Sequence, residues 1–249
     1  MSDVKKTSWC ARAGWWLALA AAPAAVLAGW GVRQGWWHFR VGFQILTWSV
    51  AAAAGAAFLA LLGLWATRRG RKRGRLRALG ALVAAAIVAG VPLAYFAIAR
   101  TVPAIHDIST DTENPPIFSA IAPLRKDAPN SLEYGGPAVA EQQRAAYPEV
   151  QPALLRVSPG QAFDRALTAA RSMGWRIVDA NPAQGRIEAS DTTRWFGFQD
   201  DIVVRVTPAE GGSLVDARSV SRVGRSDVGA NARRITAFMT RVKAGKTGG

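Results

Sequence analysis

Asp200 and Asp201 stand side by side at the head of an alternating run, and RSVSRVGRSDVGANARRI at 218–235 supplies Arg218, Ser219, Ser221, Arg222, Asp227, Asn231 and Arg234. These residue types could do three things. A carboxylate of Asp200 or Asp201 could act as acid or base while Arg222 or Arg234 steadies developing negative charge. The same two arginines, with the free N–H groups at a helix start, could hold an anionic envelope ligand or a partner peptide. Alternatively, Asp200 and Asp227 could hold Arg218, Arg222 or Arg234 in an internal ion network, leaving the domain to act through its outer surface. Neighbours on a strand point to opposite faces, so adjacent aspartates are a poor acid–base pair. Ser219 and Ser221 have no histidine nearby in sequence and no nucleophile-elbow pattern, and read as small polar packing. No catalytic residue is assigned.

The elements that must position these groups are legible nearby. Asp201 to Thr207 alternates, with Ile202, Val204 and Val206 on one side, as a strand with one buried face does. Asp200 falls in register with Ile202 and Val204, so its carboxylate is expected on the core side, in need of a partner, with Asp201 on the other. Pro208 to Gly212 turns the chain, and Leu214 to Val223 completes a hairpin. A helix follows, with Ser226 or Asp227 as N-cap and Val228, Ile235, Phe238, Met239 and Val242 as its apolar face. On that helix Asp227, Asn231 and Arg234 would form one stripe.

Upstream, Ser158 as N-cap and Pro159 at the first helical position open a helix with Phe163, Ala166, Leu167 and Ala170 on one face, ending at Gly174. Strands are expected at 154–157, at Trp175 to Val178 and at Arg186 to Thr193, the last two around a turn from Asn181 to Gly185. The expected fold is α+β: three N-terminal transmembrane helices, then a two-layer domain with an antiparallel sheet of about four to five strands and two amphipathic helices. The core is expected at 153–243 and a tail at 244–249. Residues 101–152 read as an extended linker and a Pro/Gly-rich segment, with a helical stretch near Pro137 to Ala146. Asp111, Glu113 and Asn114 offer oxygen atoms beside Pro115, but without the glycine and terminal Glu of a calcium loop no metal is expected there.

Charge and hydropathy divide the chain. Residues 1–100 hold thirteen Lys/Arg and one acid, Asp3, whereas 101–249 hold eighteen Lys/Arg and sixteen acids. The basic excess therefore belongs to the apolar half, which argues against a nucleic-acid surface on the second half. Segments 13–31, 41–66 and 78–99 carry no charged side chain and are each long enough to cross a hydrocarbon core. Trp9, Trp15, Trp16, Trp30, Trp36, Trp37 and Trp65 lie near their ends as an interfacial belt. The absence of charge within the spans argues against a proton relay or ion pathway. The loop 67–77 with its seven basic residues, and Lys5, Lys6 and Arg12 before the first span, predict a cytoplasmic N-terminus. The C-terminal domain is then periplasmic or otherwise extracytoplasmic, in a bacterial inner membrane. A cleaved signal peptide is the rival reading of the first segment and leaves the domain on the same side. That domain lacks cysteine and has one histidine, His106, so disulfides, thiolate sites and a Ser-His-Asp triad are poorly supplied. No cofactor is expected; the expected partners are the lipid bilayer and an envelope protein or small anionic ligand.

Three ordered motifs carry a resemblance: HDISTDTENPP at 106–116, FGFQDD at 196–201 and RSVSRVGRSDVGANARRI at 218–235. Together they resemble the bacterial domain-of-unknown-function family numbered 1499, over most of 102–242. The resemblance implies a domain tethered to the envelope by N-terminal helices and brings no catalytic activity with it. It directs attention to Asp111, Pro115, Asp200, Asp201, Arg218, Ser219, Ser221, Arg222, Gly224, Asp227, Asn231 and Arg234. The expected function is a structural or interaction module of the cell envelope, with anion binding and an Asp200/Asp201 enzyme as the alternatives.

Overall fold

A computed structural model describes residues 6–70 and 72–245. Asp3, Lys5, Arg71 and residues 246–249 of the expected tail lie outside the described residues. The chain forms two compact units, Met1–Ala97 with Arg194–Gly197, and Ile98–Thr193 with Phe198–Gly249.

The first unit contains helices α1 (Trp9–Arg33), α2 (Phe39–Thr67) and α3 (Arg75–Ala99). All three are long and apolar enough to cross a membrane. Ser8 caps α1 by accepting from Ala11 N, and Pro23 and Pro92 lie inside α1 and α3. Small residues let the backbones approach. A methyl group on Gly14 would sit 3.0 Å from Ala56 O, and one on Gly63 2.9 Å from Ala11 Cα. Ala18, Ala56, Ala60, Ala78 and Ala81 bury themselves in the same packing, held by close van der Waals contact between the helices. Within this unit the Trp195 indole donates to Val26 O at 3.0 Å, and its ring fills the space a side chain on Gly29 would need.

The second unit is built on a six-stranded antiparallel sheet, β1 (Asp107–Ser109), β2 (Ala153–Leu155), β3 (Arg176–Asn181), β4 (Arg186–Thr192), β5 (Gln199–Ala209) and β6 (Gly212–Ser221). The order is β1-β6-β5-β4-β3, and β2 also pairs with β6. Because β5 occupies one edge of β6 throughout, β1 and β2 share the other edge end to end, with Ser109 opposite Arg218 and Ala153 opposite Val215. The sheet therefore has more strands than the expected four to five. The extra one, β1, lies in the segment that reads as a linker. Three residues are too short to display an alternating pattern.

One face of the sheet carries Ile108, Ile187, Ala189, Ile202, Val204, Val206, Val215 and Ala217, packed on α5 (Pro159–Ser172) and α6 (Ala230–Ala244). Ser158 and Gln161 close a capping box at the start of α5, as Ser158-Pro159 predicts. Trp175 stacks on Phe238 with ring centroids 5.0 Å apart. The other face is covered by the irregular segment 110–134, whose Phe118 and Ile121 pack on Val203 and Val220.

α4 (Gly136–Ala146) stands in for a strand beside β1. Ser109 N donates to Gln143 Oε1 at 2.9 Å, and Gln143 Nε2 donates to Ser109 O at 2.7 Å, so one side-chain amide satisfies both backbone groups of Ser109. Gln143 is buried. Gln143→Ala orphans a buried donor and a buried acceptor, each costing about 1–3 kcal/mol. The expected loss of unfolding free energy in denaturant is about 2–4 kcal/mol; a loss below about 0.5 kcal/mol would show that water replaces the amide without cost.

Candidate functional site

The antiparallel register sorts the polar residues onto two faces. Ser190 lies opposite Asp201 and Asp201 opposite Val220, while Asp191 lies opposite Asp200 and Asp200 opposite Ser221. Asp200 and Asp201 thus diverge, as adjacent strand residues must, and both are buried. The set Asp200, Ser219, Ser221, Asn231 and Arg234 gathers on the helix-packed face. Asp201, Arg218 and Arg222 belong to the face under segment 110–134.

On that covered face Asp201 is fully shielded and fully answered. Its Oδ1 accepts from Ser190 Oγ at 2.6 Å and Arg222 Nη2 at 3.0 Å; its Oδ2 accepts from Arg125 Nη1 at 2.7 Å and Arg222 Nε at 2.8 Å. Burial draws the pKa of Arg125 down, against the pull of Asp201. Arg218 lies bidentate on Asp107, at 2.9 and 2.7 Å, and donates onward to Pro116 O and Leu132 O. Glu188, on β4, accepts from three successive backbone N–H groups, Ser119 and Ala120 on Oε1 and Ile121 on Oε2. Arg186 Nε is 2.9 Å from Glu188 Oε1 yet makes no directed hydrogen bond, so that contact is an ion pair by proximity. Arg205 bridges Asp111 at 2.9 Å and Asp216 at 3.1 Å, and donates to Asn114 O.

Asp111 also accepts from Glu113 N and Asn114 N. Burial would raise its pKa, but the Asn114 N–H, Arg205 and the Glu113 N–H together hold it below the usual carboxylate value. The Asp111 carboxylate and the Asn114 carbonyl are therefore turn and arginine acceptors, next to a half-buried Pro115. Among the described residues no three His, Cys, Asp or Glu side chains assemble as metal ligands.

On the helix-packed face Arg234 donates to Asp200 at 2.6 Å, to Asp191 at 3.0 Å, to Ser219 Oγ at 3.2 Å and to Asn231 Oδ1. Asn231 donates in turn to Ser221 Oγ and to His106 O, both at 3.0 Å, and accepts from Ser219 Oγ at 2.6 Å. Neither serine faces a base here: the hydroxyl of Ser219 donates to an amide oxygen, and His106 enters this cluster through its backbone carbonyl.

Asp227 departs from the expected helix stripe. α6 begins at Ala230, Val228 has φ 54° and Gly229 φ 74°, so neither Asp227 nor Val228 is helical. The carboxylate reaches forward instead, accepting from Gly229 N at 2.8 Å and Asn231 N at 2.7 Å, and so performs the capping role from outside the helix. Burial raises its pKa and the charge of Asp200 adds to this, against the two N–H groups and Arg234.

Two grooves open on this unit. One, of about 310 Å³, is lined by residues including Ile105, His106, Asp107, Glu133 and Val139; the other, of about 210 Å³, by residues including Asn114, Ile117, Arg186 and Arg205. Neither is lined by Asp200, Asp201, Ser219, Ser221, Arg222, Asp227, Asn231 or Arg234. Sequence reasoning missed Asp107, Arg125, Glu188, Ser190, Asp191, Arg205 and Asp216. The available signal was the alternation of Arg186, Glu188 and Ser190 and of Asp216 and Arg218, polar residues of both signs on the side of each strand opposite its aliphatic set.

A family model described as "Protein of unknown function (DUF1499)" matches residues 107–242. The match begins at the first residue of β1 and ends inside α6, so it covers all six strands. No curated protein matches the chain.

Asp201→Ala leaves the buried Arg125 and the half-buried Arg222 without their carboxylate and is expected to cost about 3–5 kcal/mol of unfolding free energy, read from denaturant titration. A loss under about 1 kcal/mol would mean that water reaches the site and screens the pairs. Tyr134 gives a second check. Its hydroxyl is buried without a hydrogen-bond partner, with Arg218 over its ring at 5.4 Å. Burial, and then the charge of Asp107, push its pKa from 10.0 up to about 12. The stabilisation that comes from keeping it neutral is complete below pH 10 and lost as pH rises through about 12. Tyrosinate absorbance of wild type minus Tyr134→Phe should therefore rise near pH 12; a rise near pH 10 would place the ring in water.

Proposed function

We propose, on the premise that this chain belongs to the DUF1499 family of proteins of unknown function, that it is a structural or interaction module of the bacterial cell envelope. Its N-terminal helices anchor it in the inner membrane, with the N-terminus in the cytoplasm and the α+β domain on the extracytoplasmic side. The orientation rests on the basic loop 67–77.

The observation that carries the module reading is the saturation of Asp201. Each of its two oxygen atoms already accepts two hydrogen bonds, from Arg125, Arg222 and Ser190. A carboxylate holding that many donors has little capacity left to move a proton, and Arg222 has committed both its Nε and one Nη to it. Asp200 accepts from Arg234, which is itself committed to Asp191, Ser219 and Asn231 as well. Such ion networks fix where segments sit more than they add net stability. On this reading the polar residues build a rigid platform, and recognition belongs to its outer surface.

Two measurements test the proposal. A reporter enzyme that matures only outside the cytoplasm, fused after Gly249, is expected to be active; activity of a cytosolic reporter alone would reverse the orientation. Arg234→Ala in the full chain is expected to lower unfolding free energy by about 3–5 kcal/mol, with no small anion released from denatured wild type in mass spectrometry. A normally stable Arg234→Ala protein that has lost an anion carried by wild type would make the arginines ligand-binding groups instead.

A further inference from the structure

The charge of the first unit is concentrated at one end. Lys6 and Arg12 lie at the start of α1, Arg68 and Arg69 at the end of α2, and Lys72, Arg73, Arg75 and Arg77 on the way into α3. These sites are drawn together by more than helix connectivity. Thr7 and Arg73 form a parallel β-bridge, in which Ser8 N donates to Arg73 O at 2.9 Å and Arg73 N donates to Lys6 O at 3.2 Å. Gly63, one turn before the end of α2, lies against Ala11, and a methyl group on Gly74 would meet Ala11 Cβ at 3.2 Å. The N-terminal segment is thus strapped to the basic loop.

Among the described residues this arrangement concentrates like charge without internal compensation. The sole acid in residues 1–100 is Asp3, and no carboxylate pairs with a cation of this end among the described residues. The contrast with the second unit, where arginines are matched to buried carboxylates, is direct. Arg12, Arg68, Arg69, Lys72 and Arg73 are all exposed. Trp9 opens α1 and Trp65 lies in the last turn of α2, both exposed, with the Arg68 guanidinium 4.7 Å from the centre of the Trp65 ring. Indole rings favour the boundary between hydrocarbon and headgroup, so the cations around them sit where lipid phosphates sit.

We propose that this strapped basic end is a binding site for anionic phospholipid headgroups, selecting phosphodiester lipids of net negative charge over zwitterionic ones. It goes beyond a topology signal because the bridge between Thr7 and Arg73 holds cations from both segments over one patch of membrane. Several headgroups can then be engaged at once, with each Lys or Arg adding to the attraction. The site acts on whichever side of the membrane this end occupies, so it stands or falls independently of the orientation given above.

The test uses the full chain in detergent, titrated with phosphatidylglycerol or phosphatidylcholine and read by native mass spectrometry. Phosphatidylglycerol should be retained at least tenfold more tightly than phosphatidylcholine, and Lys72→Gln/Arg73→Gln/Arg75→Gln should weaken it by about 100-fold. Equal retention of the two lipids, or a preference that survives the triple substitution, would overturn the proposal. A parallel arm adds inorganic phosphate at matched ionic strength. Phosphatidylglycerol that stays bound supports a lipid headgroup site, whereas full displacement by phosphate alone would make this a free-anion site and reject the lipid assignment. Unchanged far-ultraviolet circular dichroism of the variant separates loss of charge from loss of fold.

Discussion

An ionised carboxylate taken out of water must be met by fixed donors, and at Asp201 they come from three separate parts of the domain. Ser190 arrives on the neighbouring strand, Arg222 just past the end of the next, and Arg125 from a segment with almost no regular structure. That third donor decides how the far face of the sheet is closed. Phe118 and Ile121 contribute about 1.5–3 kcal/mol each by burial. Such non-directional burial does not select one path for the loop between them. Arg125 on Asp201, three consecutive amides on Glu188, and Arg218 on Asp107 with Pro116 and Leu132 select that path, because each bond fails if the chain shifts by a residue. Compared with well-packed apolar residues, such pairs add little net stability, yet breaking one is costly.

The helix-packed face was readable from sequence because its signals are local and periodic. Ser158-Pro159, the Asn181–Gly185 turn and the alternation from Ile202 to Val206 each belong to a few contiguous residues. They correspond to α5, the β3–β4 connection and β5. The apolar spans were equally plain, although α1 and α3 extend through Arg12 and Arg75–Arg77 beyond the uncharged segments. The covered face was not readable, since the alternating polar side of a strand looks the same whether water or a loop lies over it. Only the partner settles the matter, and Glu188 finds its partners some seventy residues away in sequence.

The residues singled out for chemistry divide between the two faces of the sheet. Asp200, Asn231, Arg234, Ser219 and Ser221 do come together, whereas Asp201, Arg218 and Arg222 lie across the sheet from them. Asp227 is drawn to the helix start from outside the helix, because Val228 and Gly229 take left-handed backbone angles that a helical stripe does not anticipate.

The placement of β1 carries a kinetic consequence. Asp107 pairs across to Val220, so the first of the six strands to be synthesised must wait for the last before its hydrogen bonds can close. Through that interval the nascent domain exposes a short unmatched edge and a set of unneutralised acids and arginines. Charged side chains held in water beside an open strand edge disfavour its pairing with another chain. The groups that lock the finished face are thus of the kind that discourages edge pairing before that face has formed.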